Sequence, residues 1–284
     1  MDYPSKDTLG LIEFALAEDI GTGDVTSTLL VPESAVLKVN VIAKESGILC
    51  GVPAFRQVYE TIDKGISIDE FIHEGSRLYP GDIIAMVEGP ARAVLEGERV
   101  ALNLLCHLSG VASETNRFAE KLRGTNCKVL DTRKTTPCMR KLEKYAVIIG
   151  GGGNHRMGLW DMILIKENHI SAAGGIKAAL DRVYSNGNPK IPVEVEVKNI
   201  DELRIALDYP LDRIMLDNFD VKKVERAVEI RRESGVSIPF EASGSIGLEN
   251  CREYAEAGVE FVSCGVLTHS VKALDISMVA LEVL

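Results

Sequence analysis

The sequence has no apolar run approaching the roughly 20 residues that a bilayer-spanning helix needs. Met1 to Ala17 has no basic stretch followed by an apolar one, and Glu13 and Glu18 put acid where a secretory signal would carry none. These absences point to a soluble, intracellular protein, here expected in the cytoplasm. None of the six cysteines (50, 106, 127, 138, 251 and 264) forms a C-x-x-C pair with another. They read as small buried hydrophobes in a reducing compartment rather than as zinc ligands or a disulfide framework. Positive charge is scarce overall: the net charge of −10 excludes nucleic acid as a general partner. No G-x-x-x-x-G-K-[ST] phosphate loop is present.

A chain of 284 residues with 46% hydrophobic composition can bury a sizeable core, as two modest domains or one barrel with an appendage. The first part reads as an α+β unit. Leu9 to Ala17 forms a helix, followed by a turn at Gly21 to Asp24. β-like runs follow at 37–44, 48–52 and 82–88, with a helix at 53–62. Apolar residues Val100, Leu104, Leu105 and Leu108 at helical spacing make 96–122 one long helix or two. The domain boundary falls near its start. We expect an α/β sandwich in residues 1–105, with 275–284 as a candidate addition to it, and a second domain in 106–274.

From Cys127 the pattern becomes strand–helix alternation. Strands are expected at 128–131, 145–149, 162–165, 193–197, 213–216, 238–241 and 259–263, with helices at 176–185, 201–208, 221–234 and 248–257. Such alternation implies parallel β-structure, either an incomplete β/α barrel or an open doubly wound sheet. The polar residues favour the barrel, because they gather at strand C-terminal ends, where barrel chemistry sits. Asp131-Thr132-Arg133-Lys134, Lys166, Glu196, Asp217-Asn218, Glu241-Ala242-Ser243-Gly244 and Gly265 all lie there.

Between Asp131 and His169 seven Lys or Arg face four Asp or Glu, a local positive excess in an acidic chain. That suits a small anion. Arg133, Lys134, His155, Arg156 and Lys166 are the candidate anion-binding set, since guanidinium forks match carboxylates and lysine supplies a point charge. Within the cluster, Lys141 and Lys144 read as a solvated helix face. The run Gly150 to Gly153 allows close backbone approach to a ligand, although flexible loops look the same. Glu194 and Glu196 alternate with valines and so share one strand face. Glu196, with Asp217 on the next strand, suits Mg²⁺ or ribose hydroxyls. Glu194 equally suits an ion pair with Lys166. Ser243-Gly244-Ser245 and Gly265 to Ser270, with His269, form either a phosphate site or two tight turns. His73 and His107 read as structural.

These residues resemble the quinolinate phosphoribosyltransferases. The resemblance is carried by Asp131-Thr132-Arg133-Lys134-Thr135-Thr136-Pro137, Gly152-Gly153-Asn154-His155-Arg156 and Leu164-Ile165-Lys166-Glu167-Asn168-His169. It continues through Glu194-Val195-Glu196-Val197, Leu216-Asp217-Asn218-Phe219, Glu241-Ala242-Ser243-Gly244 and Leu267-Thr268-His269-Ser270, and covers the chain in order. It implies an N-terminal α/β sandwich, a C-terminal incomplete α/β barrel, and a homodimer or larger assembly of dimers. It implies quinolinate at Arg133, His155, Arg156 and Lys166, with Arg99 reaching in from the partner and Lys134 near both substrates. Phosphoribosyl pyrophosphate and Mg²⁺ fall to Glu196 and Asp217, and the 5′-phosphate to Ser243, Gly244, Gly265 and His269. Two positions depart from the family pattern: Cys138 and Ser245 stand where glycine is usual. A monocarboxylate-specific enzyme on the same frame, a non-catalytic paralogue binding another anion, and a purely structural barrel are the alternatives.

Overall fold

The computed structural model describes residues 6–283. The chain divides into two compact units. One comprises Met1–Asn116, Thr136–Gly151 and Ser270–Leu284, the other Arg117–Thr135 and Gly152–His269.

The first unit is built on a four-stranded antiparallel sheet in the order Ile276–Val283, Val36–Ala43, Ile83–Pro90, Ser67–Glu70. Val36–Ala43 alternates strictly, with Leu37, Val39, Val41 and Ala43 buried, because one face of the strand must cover the core. The helix expected near the N-terminus runs Lys6–Ile20, and the turn after it ends in Asp24, whose carboxylate caps the short helix Val25–Leu30. Of the expected strand 48–52 only Ile48 lies in one, the two-residue strand Gly47–Ile48, and Val52 already opens the helix Val52–Ile62, entered through Gly51 at φ 107 with Pro53 in its first turn. The long apolar stripe forms a single helix, Ala91–Lys121.

One expectation is overturned. Residues 145–149 are not a barrel strand but the end of the helix Arg140–Ile149. A short apolar run is compatible with either element, and here the residues upstream decide it. Leu142, Ala146 and Val147 fall at helical spacing and are buried together. The same helix corrects a second expectation. Lys144 is fully buried rather than solvated, while Lys141 is exposed.

The second unit therefore holds six parallel strands rather than seven. Their order is Lys128–Leu130, Phe261–Ser263, Phe240–Ser243, Arg213–Asp217, Val193–Val197, Ile163–Ile165. Helices Ile176–Tyr184, Ile200–Ala206, Val221–Ser234 and Cys251–Glu256 lie between the later strands in sequence. This is the incomplete β/α barrel of the sequence reading. All strands run the same way, so their C-terminal ends, with the polar residues they carry, gather at one end of the sheet.

Candidate active site

At that end lies a pocket of about 590 Å³, lined entirely by the second unit. Arg133 and Lys134 follow the first strand of the unit, His155 and Arg156 the glycine run, and Lys166 the strand Ile163–Ile165. Glu196, Asp217, Ser243, Gly244, Gly265 and His269 complete the ring of expected residues. Arg99 is not in it. That arginine lies on the long helix of the first unit, with its side chain 62% exposed and 3.5 Å from Glu98.

Local chemistry explains the positions. Gly244 has φ 96, and a Cβ there would collide with the Asn218 side-chain oxygen. A Cβ on Gly265 would lie 2.8 Å from the His269 ring and 3.1 Å from Lys134 Cδ, so the missing side chain is what lets these two site residues converge. The loop of Arg133 and Lys134 is held by two hydrogen bonds. Lys134 N donates to Thr132 Oγ1 at 3.0 Å, and Thr268 Oγ1 donates to the Lys134 carbonyl at 2.8 Å. Lys166 precedes the helix Glu167–Ala173, and its backbone N donates to His169 Nδ1 at 3.0 Å. The His169 of the matched motif thus caps a helix and aims Lys166. The glycine run does not line the pocket: Gly150 packs against the Ala112 carbonyl, and Gly153 pairs with Leu130.

The electrostatics divide the site in two. On the anion-binding side, Arg156 is buried, and its Nη1 donates to the Met162 carbonyl at 3.2 Å. Its Nε has no hydrogen-bond partner among the described residues. Burial, and then the neighbouring Arg133 guanidinium, lower its pKa. Two guanidiniums held this close favour an anion between or beside them. On the acidic side, Glu196 pairs across the strands with Met215, which makes Asp217 its diagonal neighbour on the same face. Lys166 Nζ lies 3.2 Å from Glu196, not against Glu194.

Glu194 goes elsewhere. It and Glu241, which lines the pocket, are both fully buried beside His155 and Arg213. Burial is the main cause that raises both carboxyls to about 7. At Glu241 the Glu194 charge adds to the shift while His155 and then Arg213 oppose it, and Arg213 opposes it at Glu194. The sequence reading noted Glu241 as a strand end but did not place it in the site, and it missed Arg213 altogether. Arg213 opens its strand instead of closing it, and only its long side chain carries it inward.

The sequence comparisons agree with this geometry. Residues 24–109 match the family model of the quinolinate phosphoribosyl transferase N-terminal domain, and residues 111–279 that of its C-terminal domain. The chain is 40% identical over 273 residues to the nicotinate-nucleotide pyrophosphorylase [carboxylating] of Mycobacterium leprae, covering 94% of this chain and 95% of that one. It is 41% identical over 268 residues to the probable nicotinate-nucleotide pyrophosphorylase [carboxylating] of Bacillus subtilis, covering 94% and 91%. The structure of the nicotinate-nucleotide pyrophosphorylase from Francisella tularensis superposes with a TM-score of 0.93 at 38% identity, over 99% of this chain and 98% of that one. With both family domains matched in order along the chain, the chain belongs to the quinolinate phosphoribosyltransferase family.

Proposed function

We propose that the protein transfers the phosphoribosyl group of phosphoribosyl pyrophosphate to quinolinate with decarboxylation. The products are nicotinate mononucleotide, pyrophosphate and CO₂, in NAD biosynthesis. The observation that carries this reading is the pairing of Arg133 with a buried Arg156 whose Nε is unsatisfied, in a pocket that also holds Lys134 and Lys166. Such a density of cations answers a diacid better than a monocarboxylate.

In this reading Arg133, Arg156 and Lys166 hold the two adjacent carboxylates, with His155 beside them. Lys134 lies between the two substrates. Ser243, Gly244, Gly265 and His269 receive the 5′-phosphate, the small residues leaving backbone N–H groups accessible. Glu196 and Asp217 are hard oxygen donors on one sheet face, and they fit Mg²⁺ that completes its shell with water and substrate oxygens. The chemistry Mg²⁺ supplies when bound is neutralisation of the leaving pyrophosphate.

The ring nitrogen lone pair forms the bond to ribose C1 as the bond from C1 to pyrophosphate breaks. Positive charge builds on the ribose, and the carboxylates of Glu196 and Asp217 favour it. The resulting pyridinium accepts the electron pair left when the C2–carboxylate bond breaks, and a proton replaces CO₂ at C2. The cationic set orients the diacid and compensates its charge, so no covalent enzyme intermediate is required.

The same reading includes a homodimer, or a larger assembly of dimers, with Arg99 reaching the partner's pocket, and places the enzyme in the cytoplasm. The exposure of Arg99 on the long helix, and separately of the apolar side chains Leu159 and Trp160, supports a shared interface.

Quinolinate labelled at the 2-carboxylate, with phosphoribosyl pyrophosphate and Mg²⁺, tests the reaction. Metal-dependent release of labelled CO₂ and nicotinate mononucleotide in equal amounts is expected. Folded protein that binds the pyrophosphate substrate but releases no label would assign a different acceptor.

A further inference from the structure

Residues 154–158 belong to no helix or strand, so no backbone ladder fixes the two pocket residues, His155 and Arg156, that this segment carries. Both are nevertheless buried. A carboxylate on each side of Arg156 holds the segment instead. Before it stands Asp131, fully buried just after the strand Lys128–Leu130. Its Oδ2 accepts from the Asn154 side-chain Nδ2 at 2.6 Å, and its Oδ1 from the backbone N of His155 at 2.9 Å. After it, Asp161 Oδ2 accepts from the backbone N of Met157 at 2.7 Å, and Asp161 Oδ1 from the backbone N of Gly158 at 2.9 Å. Hydrogen bonds from N–H groups to a carboxylate are charge-assisted and strong. Neither aspartate is among the residues that line the pocket.

The loop that Asp161 ties is closed tightly, since a Cβ on Gly158 would collide with the Trp160 ring. It also returns to the side chain from which it departs. Met162, the residue after Asp161, offers the carbonyl to which Arg156 Nη1 donates at 3.2 Å. Asp161 therefore sets the distance between the Arg156 backbone and the carbonyl that anchors its guanidinium. Charge acts in the same direction. Burial and then Arg133 lower the pKa of Arg156, and Asp161, ahead of Glu194, works against that and keeps the guanidinium charged.

We propose that Asp131 and Asp161 are positioning residues for the acceptor acid: their carboxylates clamp the segment 154–158 on both sides of Arg156, so that its guanidinium enters the pocket in one direction, with Nε left for the ligand. Each aspartate acts through a residue that touches the substrate and touches none itself. The identity of the acid rests on the proposed quinolinate reaction, whereas the clamp does not.

The test is the quinolinate Kd, by calorimetry, of full-length wild type, Asp161→Asn and Asp131→Asn. Charge and positioning predict opposite signs. By charge alone, neutralising an acid near an anion site strengthens anion binding. An asparagine, however, has one oxygen to accept with, and its amide nitrogen meets the second backbone N–H donor to donor. Asp161→Asn should therefore bind quinolinate about 10- to 100-fold more weakly, as displacement of a binding group gives. Its KM for phosphoribosyl pyrophosphate should stay within about twofold, because the phosphate-side residues lie on other strands. In an Arg156→Lys background, with no guanidinium fork left to aim, the same substitution should weaken binding less than about threefold further. Tighter or unchanged binding, a parallel loss for both substrates, or full additivity with Arg156→Lys would each overturn the proposal. Should Asp131→Asn fail to fold, its carboxylate being buried, Asp161→Asn decides. Trp160 is the chain's one tryptophan and lies in the tied loop, so its fluorescence anisotropy reads the clamp without any substrate. The anisotropy should fall in Asp161→Asn, and an unchanged value would overturn the clamp. Failure of the proposed reaction would show itself differently, as wild type that binds no quinolinate.

Discussion

Thr268 donates its hydroxyl proton to the carbonyl of Lys134 across 2.8 Å, tying the turn after the last parallel strand to the loop after the first. The two strands are neighbours in the sheet, so the tie links the proposed phosphate side of the pocket to the lysine placed between the substrates. Thr268→Val should cost about 1 kcal/mol of stability, a typical hydrogen bond. It should lower kcat more than it raises either KM, and Thr268→Ser should restore both. Steady-state kinetics beside denaturant titration separate the two effects. Lys134→Ala should likewise cut turnover more than it weakens quinolinate binding, and equal losses would remove that role from Lys134.

Gly265 is required by contact, not by backbone conformation. A methyl there meets the His269 ring at 2.8 Å and Lys134 Cδ at 3.1 Å. Gly265→Ala should fold, because the clash falls on side chains, yet lose on the order of 100-fold in kcat/KM through displacement of two site residues. Wild-type activity in this variant would show that neither side chain needs its present position.

The two departures from the family pattern have a shared physical consequence. Cys138 has φ 66 and Ser245 has φ 51, so each holds a left-handed conformation that glycine adopts without strain. Replacing either by glycine relieves about 1 kcal/mol of strain, partly offset by added freedom of the unfolded chain. Cys138→Gly and Ser245→Gly should each be neutral to slightly stabilising by denaturant titration. Destabilisation in either would mean that its side chain makes a compensating interaction.

The buried carboxyl of Glu241 sets a pH dependence. Its pKa is raised from the ordinary 4.5 to about 7, chiefly by burial and then by the Glu194 charge. The folded state therefore binds more protons than the unfolded state between these values. The stability this contributes is present below pH 4.5 and is lost as pH rises through about 7. Unfolding free energies at pH 5 and pH 8 should differ more for wild type than for Glu241→Gln, whose amide does not titrate. An unchanged difference would show that another group governs it.

For the proposed shared site, Arg99→Ala and a second inactive variant such as Lys134→Ala should each be inactive alone. Mixed under conditions that exchange subunits, they should recover roughly a quarter of wild-type activity, because one kind of mixed site is intact. No recovery despite demonstrated exchange would place Arg99 in its own chain's site.

Much of the architecture was legible because the signals are local. The helix 221–234 was read with its observed ends, since Asp220 caps its start and Gly235 closes it in the left-handed conformation. The strand 193–197 was read equally well, because valine alternating with glutamate has only one extended solution. Residues 145–149 misled because an apolar run of five carries no period of its own. The site shows the same division. Arg133, Lys134, His155, Arg156, Lys166, Glu196 and Asp217 were picked out at or near the ends of strands, and all line the pocket. Arg213 was not, because it begins its strand and meets Glu241 twenty-eight residues away.

By itself the sequence determined the alternation of strands and helices, the end of the sheet where charged residues would gather, and the family through ordered motifs along the whole chain. These depend on periodicity, capping and turn chemistry, which act over a few residues. Only the tertiary structure decided that Lys144 is buried, that Lys166 pairs with Glu196 rather than Glu194, and that Asp131 accepts the backbone N–H of His155. Burial and charge pairing join residues dozens of positions apart, and the energy of a charge depends on which partners the fold brings within a few ångströms once water is gone.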